Sequence, residues 1–314
     1  MKDLLRTADL SRDDVELLLE TAAKFASEPL CASEELRNKS VAIYMTKPST
    51  RTRLASETAT AHLGGTPIFI RGDELQLGRG ESIADTAKII SGFCDALIIR
   101  TYKQSDVDEL GANASIPVIN ALTDDDHPTQ LLADWITIRE IFGKDISNRK
   151  FAYFGDGNNM THAWLIMGAI MGAHVVAATP TGKWAPDQKI VEQAKNLAVK
   201  SGGTVEVTSD PIAAAKDASV VYTDVWMSMG DPDSERNEKM KVLAPFTVTE
   251  SLMSHTAKDS IFMHCLPAHR GEEVEASVID GEKSVIWREA FHRRTTIQAL
   301  LYHLTRGELR GNNA

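Results

Sequence analysis

Cysteine is scarce in this chain, long apolar runs are missing, and positive charge is in deficit. Only Cys31, Cys94 and Cys265 occur in 314 residues, and no two form a CxxC pair. That leaves no disulfide framework and no cysteine-rich zinc site, and it suits a reducing compartment. No apolar run reaches the roughly 20 residues that a membrane-spanning helix needs. Charges interrupt the stretch from Met1 to Leu10, so it lacks the apolar centre of a secretory leader. These absences together predict a cytoplasmic protein. Lys and Arg number 34 against 44 Asp and Glu, for a net charge of −10. A nucleic-acid surface requires a basic face, so this balance argues against one. Internal repeats and low-complexity segments are absent as well. What is present is an ordinary globular composition, 43% hydrophobic and 25% charged, on a chain long enough for two domains.

Strand and helix signals alternate along the chain. Ser11 with Asp14 forms a capping box for a helix running to about Phe25. The run from Val41 to Met45 reads as a buried strand, and Leu54 to Leu63 as a helix stopped by Gly64-Gly65. Thr66 to Ile70, Ala96 to Arg100 and Ile116 to Ala121 read as further strands. A helix from Ser82 to Ile90 and one capped by Ser105 and Asp108 stand between them. Pro128 opens a long helix to Phe142 as a first-turn proline. The alternation then repeats, with strands at Lys150 to Phe154, His174 to Thr179, Thr204 to Thr208, Val220 to Val225 and Ser260 to Cys265. Helices at Met160 to Gly172, Pro186 to Ser201 and Pro211 to Asp217 separate them, and one from Val285 to Arg306 closes the chain. This pattern predicts an α/β protein of two doubly wound parallel-sheet domains joined by long helices. The expected division is 1–142, completed by 288–314, and 143–287. In such sheets ligands sit beyond the carboxyl ends of the strands.

Polar clusters fall at those strand ends. Lys47-Pro48-Ser49-Thr50-Arg51-Thr52-Arg53 lies where the first strand gives way to a helix N-terminus. Unpaired backbone N–H groups and the helix dipole favour an anion there. Ser49, Thr50 and Thr52 add hydroxyl donors, and Arg51 adds a planar fork suited to phosphate. The turn's natural partner is a small dianion, a phosphate monoester or an acyl phosphate. Arg100 closes the third strand and is either a surface arginine or a site cation. His127-Pro128-Thr129-Gln130 follows the fourth strand, where a histidine and a glutamine could polarise a carbonyl and bind an amide NH₂. Gly155-Asp156-Gly157 after a strand suggests a dinucleotide fold, but Met160 replaces the third glycine and no acidic residue closes the next strand. Asn159 at a helix start suits a carboxylate, or is a plain cap. Asp224 closes a strand and could bind an α-amino group. After it, Val225-Trp226-Met227-Ser228-Met229-Gly230 leads into a charged stretch with the makings of a lid. Cys265, in His264-Cys265-Leu266-Pro267, is either a small buried hydrophobe or a site thiol, and His264 and His269 form no metal pattern.

Taken together and in this order, the Ser-Thr-Arg-Thr-Arg turn, the His-Pro-Thr-Gln tetrad, the Asp-Val-Trp-x-Ser-Met-Gly loop and the His-Cys-Leu-Pro segment resemble the aspartate and ornithine carbamoyltransferase family. The likeness spans nearly the whole chain. The Asp-Val-Trp-x-Ser-Met-Gly loop is similar to the ornithine branch, and the aspartate branch lacks it. The resemblance implies transfer of the carbamoyl group of carbamoyl phosphate to the side-chain amine of L-ornithine, giving L-citrulline and phosphate without metal or organic cofactor. It assigns carbamoyl phosphate to Ser49, Thr50, Arg51, Thr52, Arg100, His127, Pro128, Thr129, Gln130, Cys265, Leu266 and a late arginine. Arg51, Arg100, His127 and Cys265 carry the catalytic part. It assigns the amino acid to Asn159, Asp224, Ser228 and Met229. Gln76 matches a residue that reaches the phosphate of a neighbouring subunit, which implies a homotrimer, or a multiple of trimers, with shared sites. Arg293 matches the late arginine, yet Phe291-His292-Arg293-Arg294 stands where Glu-Asn-Arg is usual, so Arg294 competes for the part. Other acceptors (putrescine, acetylornithine), or a non-catalytic subunit that only binds carbamoyl phosphate, are the alternatives.

Overall fold

A computed structural model describes residues 1–74, 80–227 and 232–312, the side chain of Asp233 excepted. Gln76, Ser228 and Met229 therefore lie outside the described residues. The chain divides into two compact units, the first of residues 1–136 and 291–314, the second of residues 137–290.

The first unit begins with α1 (Arg12–Ser27), β1 (Ser40–Met45), α2 (Thr50–His62), β2 (Thr66–Arg71) and α3 (Ile83–Phe93). It continues with β3 (Ala96–Arg100), α4 (Gln104–Asn113), β4 (Val118–Leu122) and α5 (Pro128–Phe142), within which the chain passes to the second unit. The strands form one parallel sheet in the order β2-β1-β3-β4. Central β1 is buried from Val41 to Met45, and β3 throughout, as continuous apolar runs require when both faces are covered. One face packs Ala42, Tyr44, Leu97, Ile99 and Val118 against Ala87, Ile90, Val107 and Leu110 of α3 and α4. Edge strand β2 alternates in exposure instead.

The second unit holds β5 (Lys150–Phe154), α6 (Asn159–Met171), β6 (His174–Ala178), α7 (Gln188–Ser201), β7 (Thr204–Thr208), α8 (Pro211–Ala215) and β8 (Ala218–Thr223). It ends with the short helices α9 (Arg236–Leu243) and α10 (Glu250–Met253), then β9 (Ile261–His264) and α11 (Ala276–Ile279). Helix α12 (Ile286–Thr305) starts in this unit and finishes in the first. The second sheet is parallel throughout, in the order β7-β6-β5-β8-β9. Helix α6 is buried along nearly its whole length, because it carries no charge from Asn159 to Met171 and lies against the sheet; its Trp164 meets Tyr222 of β8 at 4.7 Å between ring centroids. The prediction of two parallel-sheet α/β domains is therefore met.

Several local expectations shift. The Ser11–Asp14 capping box forms as read. Helix α4, by contrast, is not capped by Ser105 and Asp108. It starts at Gln104, and the Asp108 carboxylate takes both guanidinium nitrogens of Arg6 at 2.7 and 2.6 Å. The fourth strand starts at Val118, whose N–H goes to Asp3, rather than at Ile116. In both cases the N-terminal segment, a long-range partner invisible to local pattern, decides the outcome. The cap of α6 is Asn158, so Asn159 is its first helical residue.

Each sheet reverses its strand order once, between β1 and β3 in the first and between β5 and β8 in the second. Such reversals open a crevice at the carboxyl edge, where ligands bind in folds of this kind.

Candidate active site

In the first unit, the turn after β1 is built by the cap of α2. Ser49 is extended, and its Oγ accepts the N–H of Thr52 at 3.2 Å. Thr50, Arg51 and Thr52 thus form the first helical turn, with that turn's remaining N–H groups at the helix start. Thr52 is buried, Arg51 half-buried and Thr50 exposed. A cleft of about 600 Å³, lined by Pro48, Ser49, Thr50, Arg53, Phe69 and Arg71 among others, opens beside this turn. Arg100 is buried at the end of β3, which removes the surface reading, and its carbonyl accepts the N–H of Thr46 at 3.0 Å. Lys47 is buried too, paired with Asp124 and seated 4.5 Å from the ring centre of Tyr102.

His127 precedes α5, and only 4% of it is exposed. Its N–H donates to Asp126 Oδ1 at 2.7 Å, and the same carboxylate takes the N–H and hydroxyl of Thr7 at 2.6 Å each. Burial pushes Asp126 up to about 6. Burial first, then the charges of Arg293, Arg100, Arg51 and Lys47, hold the His127 imidazole well below its ordinary range. Positive surroundings of this kind suit an anion, and a neutral imidazole has one N–H to donate.

Arg293 comes from α12. Its guanidinium donates to Gln130 Oε1 at 2.6 Å, to Thr52 Oγ1 at 3.2 Å and to Thr129 Oγ1 at 3.3 Å. It ties the turn after β1 to the His127–Gln130 tetrad at the start of α5. Arg294 turns elsewhere, to His62, Gln298 and the carbonyl of Phe25. Adjacent residues on a helix point about 100° apart, so only one of the two can face the site. Gln130 also donates from Nε2 to Asp134 Oδ1 at 2.8 Å. Lys47 was read as one of the cations around the turn, though not as buried, and Asp134 was not singled out from the sequence. Asp134 was legible there, four residues after Gln130 on a helix.

In the second unit, Gly157 sits against the chain at Ala185–Pro186, where an added Cβ would stand 2.1 Å from Pro186 N. That contact explains the second glycine of the motif without any dinucleotide. Asn158 caps α6, its Oδ1 accepting the N–H groups of Met160 at 2.9 Å and Thr161 at 3.1 Å. Its Nδ2 donates to Asp224 Oδ2 at 3.1 Å. Asn159, the asparagine expected to suit a carboxylate, is the next residue and the first of the helix. Burial and the nearby Asp224 and Asp156 hold the Tyr153 phenol well above its ordinary range, so it stays a donor, to Asn158 at 3.3 Å. Asp224 follows β8 and accepts the Cys265 thiol at 3.0 Å and the N–H of Val225 at 2.8 Å. Cys265 is half-buried beyond the end of β9.

Leu266 adopts a φ of +58°, a left-handed conformation costly for a residue with a side chain. Its N–H donates to His264 Nδ1 at 2.8 Å, while His264 Nε2 donates to Glu273 Oε1 at 3.2 Å. Asp224, His264 and Cys265 bring possible metal-ligand atoms within 4.8 Å of one another, as do His269, Glu272 and Glu273. In the first group both imidazole nitrogens and the thiol are already engaged in the hydrogen bonds above.

Known proteins match this chain along nearly its whole length. Residues 2–140 match the family model "Aspartate/ornithine carbamoyltransferase, carbamoyl-P binding domain", and residues 147–304 match "Aspartate/ornithine carbamoyltransferase, Asp/Orn binding domain". An ornithine carbamoyltransferase of Anoxybacillus flavithermus is 47% identical over 305 residues, 96% of either chain. A catabolic one of Thermoplasma acidophilum is 43% identical, covering 96% of this chain and 98% of its own. The solved ornithine carbamoyltransferase of Pyrococcus furiosus superposes with a TM-score of 0.92 at 45% identity, covering 98% of each chain. With both domain models matched in order, and relatives this similar over nearly their full length, the chain belongs to the aspartate/ornithine carbamoyltransferase family.

Proposed function

We propose that the protein transfers the carbamoyl group of carbamoyl phosphate to the side-chain amine of L-ornithine, giving L-citrulline and phosphate. The observation that carries this reading is the buried His127 amid Arg51, Arg100, Arg293 and Lys47, an anion site that also offers an N–H to a carbonyl.

The phosphate takes the N–H groups and hydroxyls at the start of α2, from Ser49, Thr50 and Thr52, together with Arg51, Arg100 and Arg293. His127, with Thr52 and Arg100, donates to the carbamoyl oxygen, where negative charge grows during attack. Pro128 and Thr129 shape the start of α5, and Gln130 accepts from the carbamoyl NH₂. Asn159 and Asp224, with Ser228 and Met229, hold the amino-acid end of ornithine. Cys265 and the Leu266 carbonyl hold the reacting nitrogens. The ornithine side-chain amine has a solution pKa near that of lysine, about 10.4, and must lose its proton to attack. The neutral amine forms a bond to the carbamoyl carbon, the bond from that carbon to the bridging oxygen breaks, and the proton shed by the amine leaves with the phosphate. Holding both reactants in register supplies much of the rate.

Residue 76 reaches the phosphate of an adjacent subunit in this reading, so the active form is a homotrimer or a multiple of trimers. The cleft beside the exposed Thr50 offers room for such a visitor. A cytoplasmic location fits the three free cysteines, and no described helix is long and apolar enough to cross a membrane.

A steady-state assay tests the proposal directly. Carbamoyl phosphate is offered with ornithine, putrescine, acetylornithine or aspartate, and the ureido product is measured. Turnover is expected with ornithine; none with ornithine, or faster turnover with another amine, overturns the assignment.

A further inference from the structure

The turn that follows β9 gathers a histidine and two glutamates. Gly271 holds a φ of +89°, and the N–H of Glu272 returns to the carbonyl of His269 at 3.0 Å. The chain folds back on itself there, and one possible ligand atom from each of His269, Glu272 and Glu273 lies within 4.8 Å of the others. His264 and His269 show no ligand spacing along the sequence; in the fold His269 stands with the two glutamates instead.

The two oxygens of Glu273 have different surroundings. The residue is wholly buried, with 0% exposed. Its Oε1 accepts the backbone N–H of His269 at 2.5 Å and the His264 Nε2–H at 3.2 Å. Its Oε2 is closed off from the surface and accepts no hydrogen bond among the described residues. That oxygen lies 3.8 Å from His269 Nδ1, too far for a hydrogen bond. Glu272 repeats the pattern: Oε1 takes Arg236 at 2.5 Å, and Oε2 is buried without a hydrogen bond among the described residues. A buried carboxylate oxygen left without a donor is costly, and here the fold keeps two of them beside one imidazole.

We infer that His269, Glu272 and Glu273 form a binding site for one divalent cation of the zinc class. The site is independent of the reaction proposed above. Two carboxylates less the single charge of Arg236 leave a net negative charge to meet the cation. An imidazole nitrogen beside carboxylate oxygens suits zinc, whereas calcium and magnesium seek oxygen alone. Zinc bonds of about 2.0–2.2 Å in a tetrahedron set neighbouring ligand atoms about 3.3–3.6 Å apart. The 3.8 Å between His269 and Glu273 therefore needs little closing, and the His269 side chain, 48% exposed, has room to move. The hydrogen bonds to Oε1 hold the Glu273 carboxylate in place, as partners behind a metal ligand do. The neighbouring group of Asp224, His264 and Cys265 is the rival, but both nitrogens of His264 are taken, by Glu273 and the N–H of Leu266.

The full chain, stripped with a chelator, is titrated calorimetrically with zinc chloride and with calcium chloride, and melted with and without zinc. The wild type should bind one zinc per chain, at least about tenfold more tightly than calcium, and melt at a higher temperature when zinc is present. His269→Ala and Glu272→Gln change side chains that reach the surface, and each variant is first shown to melt cooperatively without metal. Each should weaken zinc binding by roughly tenfold or more and lose the added thermal stability. Should either fail to fold, His269→Gln or Glu272→Ala carries the same expectation. Asp224→Asn should bind zinc within about threefold of the wild type. No saturable zinc binding by the wild type, calcium bound as tightly as zinc, or affinity kept within about threefold in either the His269 or the Glu272 variant overturns the site. Affinity lost in Asp224→Asn overturns it as well, because the ion would then sit at the neighbouring group.

Discussion

His127 shows how burial and charge set the chemistry of one side chain. An unfolded histidine titrates near 6.5, and in the folded chain burial and four cations keep the imidazole neutral well below that. Between those two limits the unfolded chain binds a proton that the folded chain refuses. This group's contribution to stability is thus complete above about 6.5 and is lost as the pH falls below it. Urea unfolding at pH about 7.5 and about 5.5 should show a larger drop for the wild type than for His127→Gln. Equal drops would mean the imidazole is not held neutral. The neighbouring arginines divide the labour. Arg293→Ala removes a buried charge with three acceptors and should weaken carbamoyl-phosphate binding by roughly thirtyfold or more. Arg294→Ala should leave that affinity within about threefold, since this side chain fastens α12 to His62 and Phe25, and should lower thermal stability instead. Calorimetry on the two variants decides between them, and the reverse pattern would hand the late-arginine part to Arg294.

Under the proposed function two helix starts, one in each unit, serve different ligands. Ser49 caps α2 and leaves the rest of that turn's N–H groups to an anion. Asn158 caps α6, and the second end of its amide reaches Asp224. A cap of this kind is worth about 1 kcal/mol, so Asn158→Ala should lower the stability of the protein by about that much. It also releases one oxygen of Asp224 from its partner, so the Michaelis constant for ornithine should rise severalfold while that for carbamoyl phosphate stays near wild type. The contrast is Ser49→Ala, with a similar loss of stability and the opposite pattern of Michaelis constants. Steady-state kinetics with each substrate varied in turn would separate them, and parallel changes in both constants would remove the assignment of one reactant to each helix.

For the whole molecule the proposed function implies a site that one chain does not complete. Arg51→Ala and Gln76→Ala should each be inactive as pure assemblies. Mixed after dissociation and reassembled, the two variants form some interfaces that join an intact Arg51 to an intact Gln76 of the adjacent chain, and partial citrulline formation should return. For a trimer with random mixing, about a quarter of the sites would be complete, from independent half-probabilities for each contributing chain. No recovery, with subunit exchange verified, would show that each site is built from a single chain.

Much of this was written locally. Strand alternation, the capping box at Ser11 and the long runs of apolar residues predict two parallel α/β sheets, because hydrophobic period and cap chemistry act within a few residues. The same holds for the polar clusters at strand ends, whose place follows from the handedness of the crossovers. Whether Arg100 faces solvent or the interior, which arginine of the pair at 293–294 turns to Gln130, and that Asn158 reaches Asp224 were not legible. Each is decided by partners more than fifty residues away, and neighbouring side chains of one type look alike until those partners are in place. The burial of Lys47 belongs with them. The sequence determined which donors the protein would own; only the tertiary structure decided which way they point, because burial removes water as an alternative partner and leaves one arrangement in which the buried donors meet acceptors.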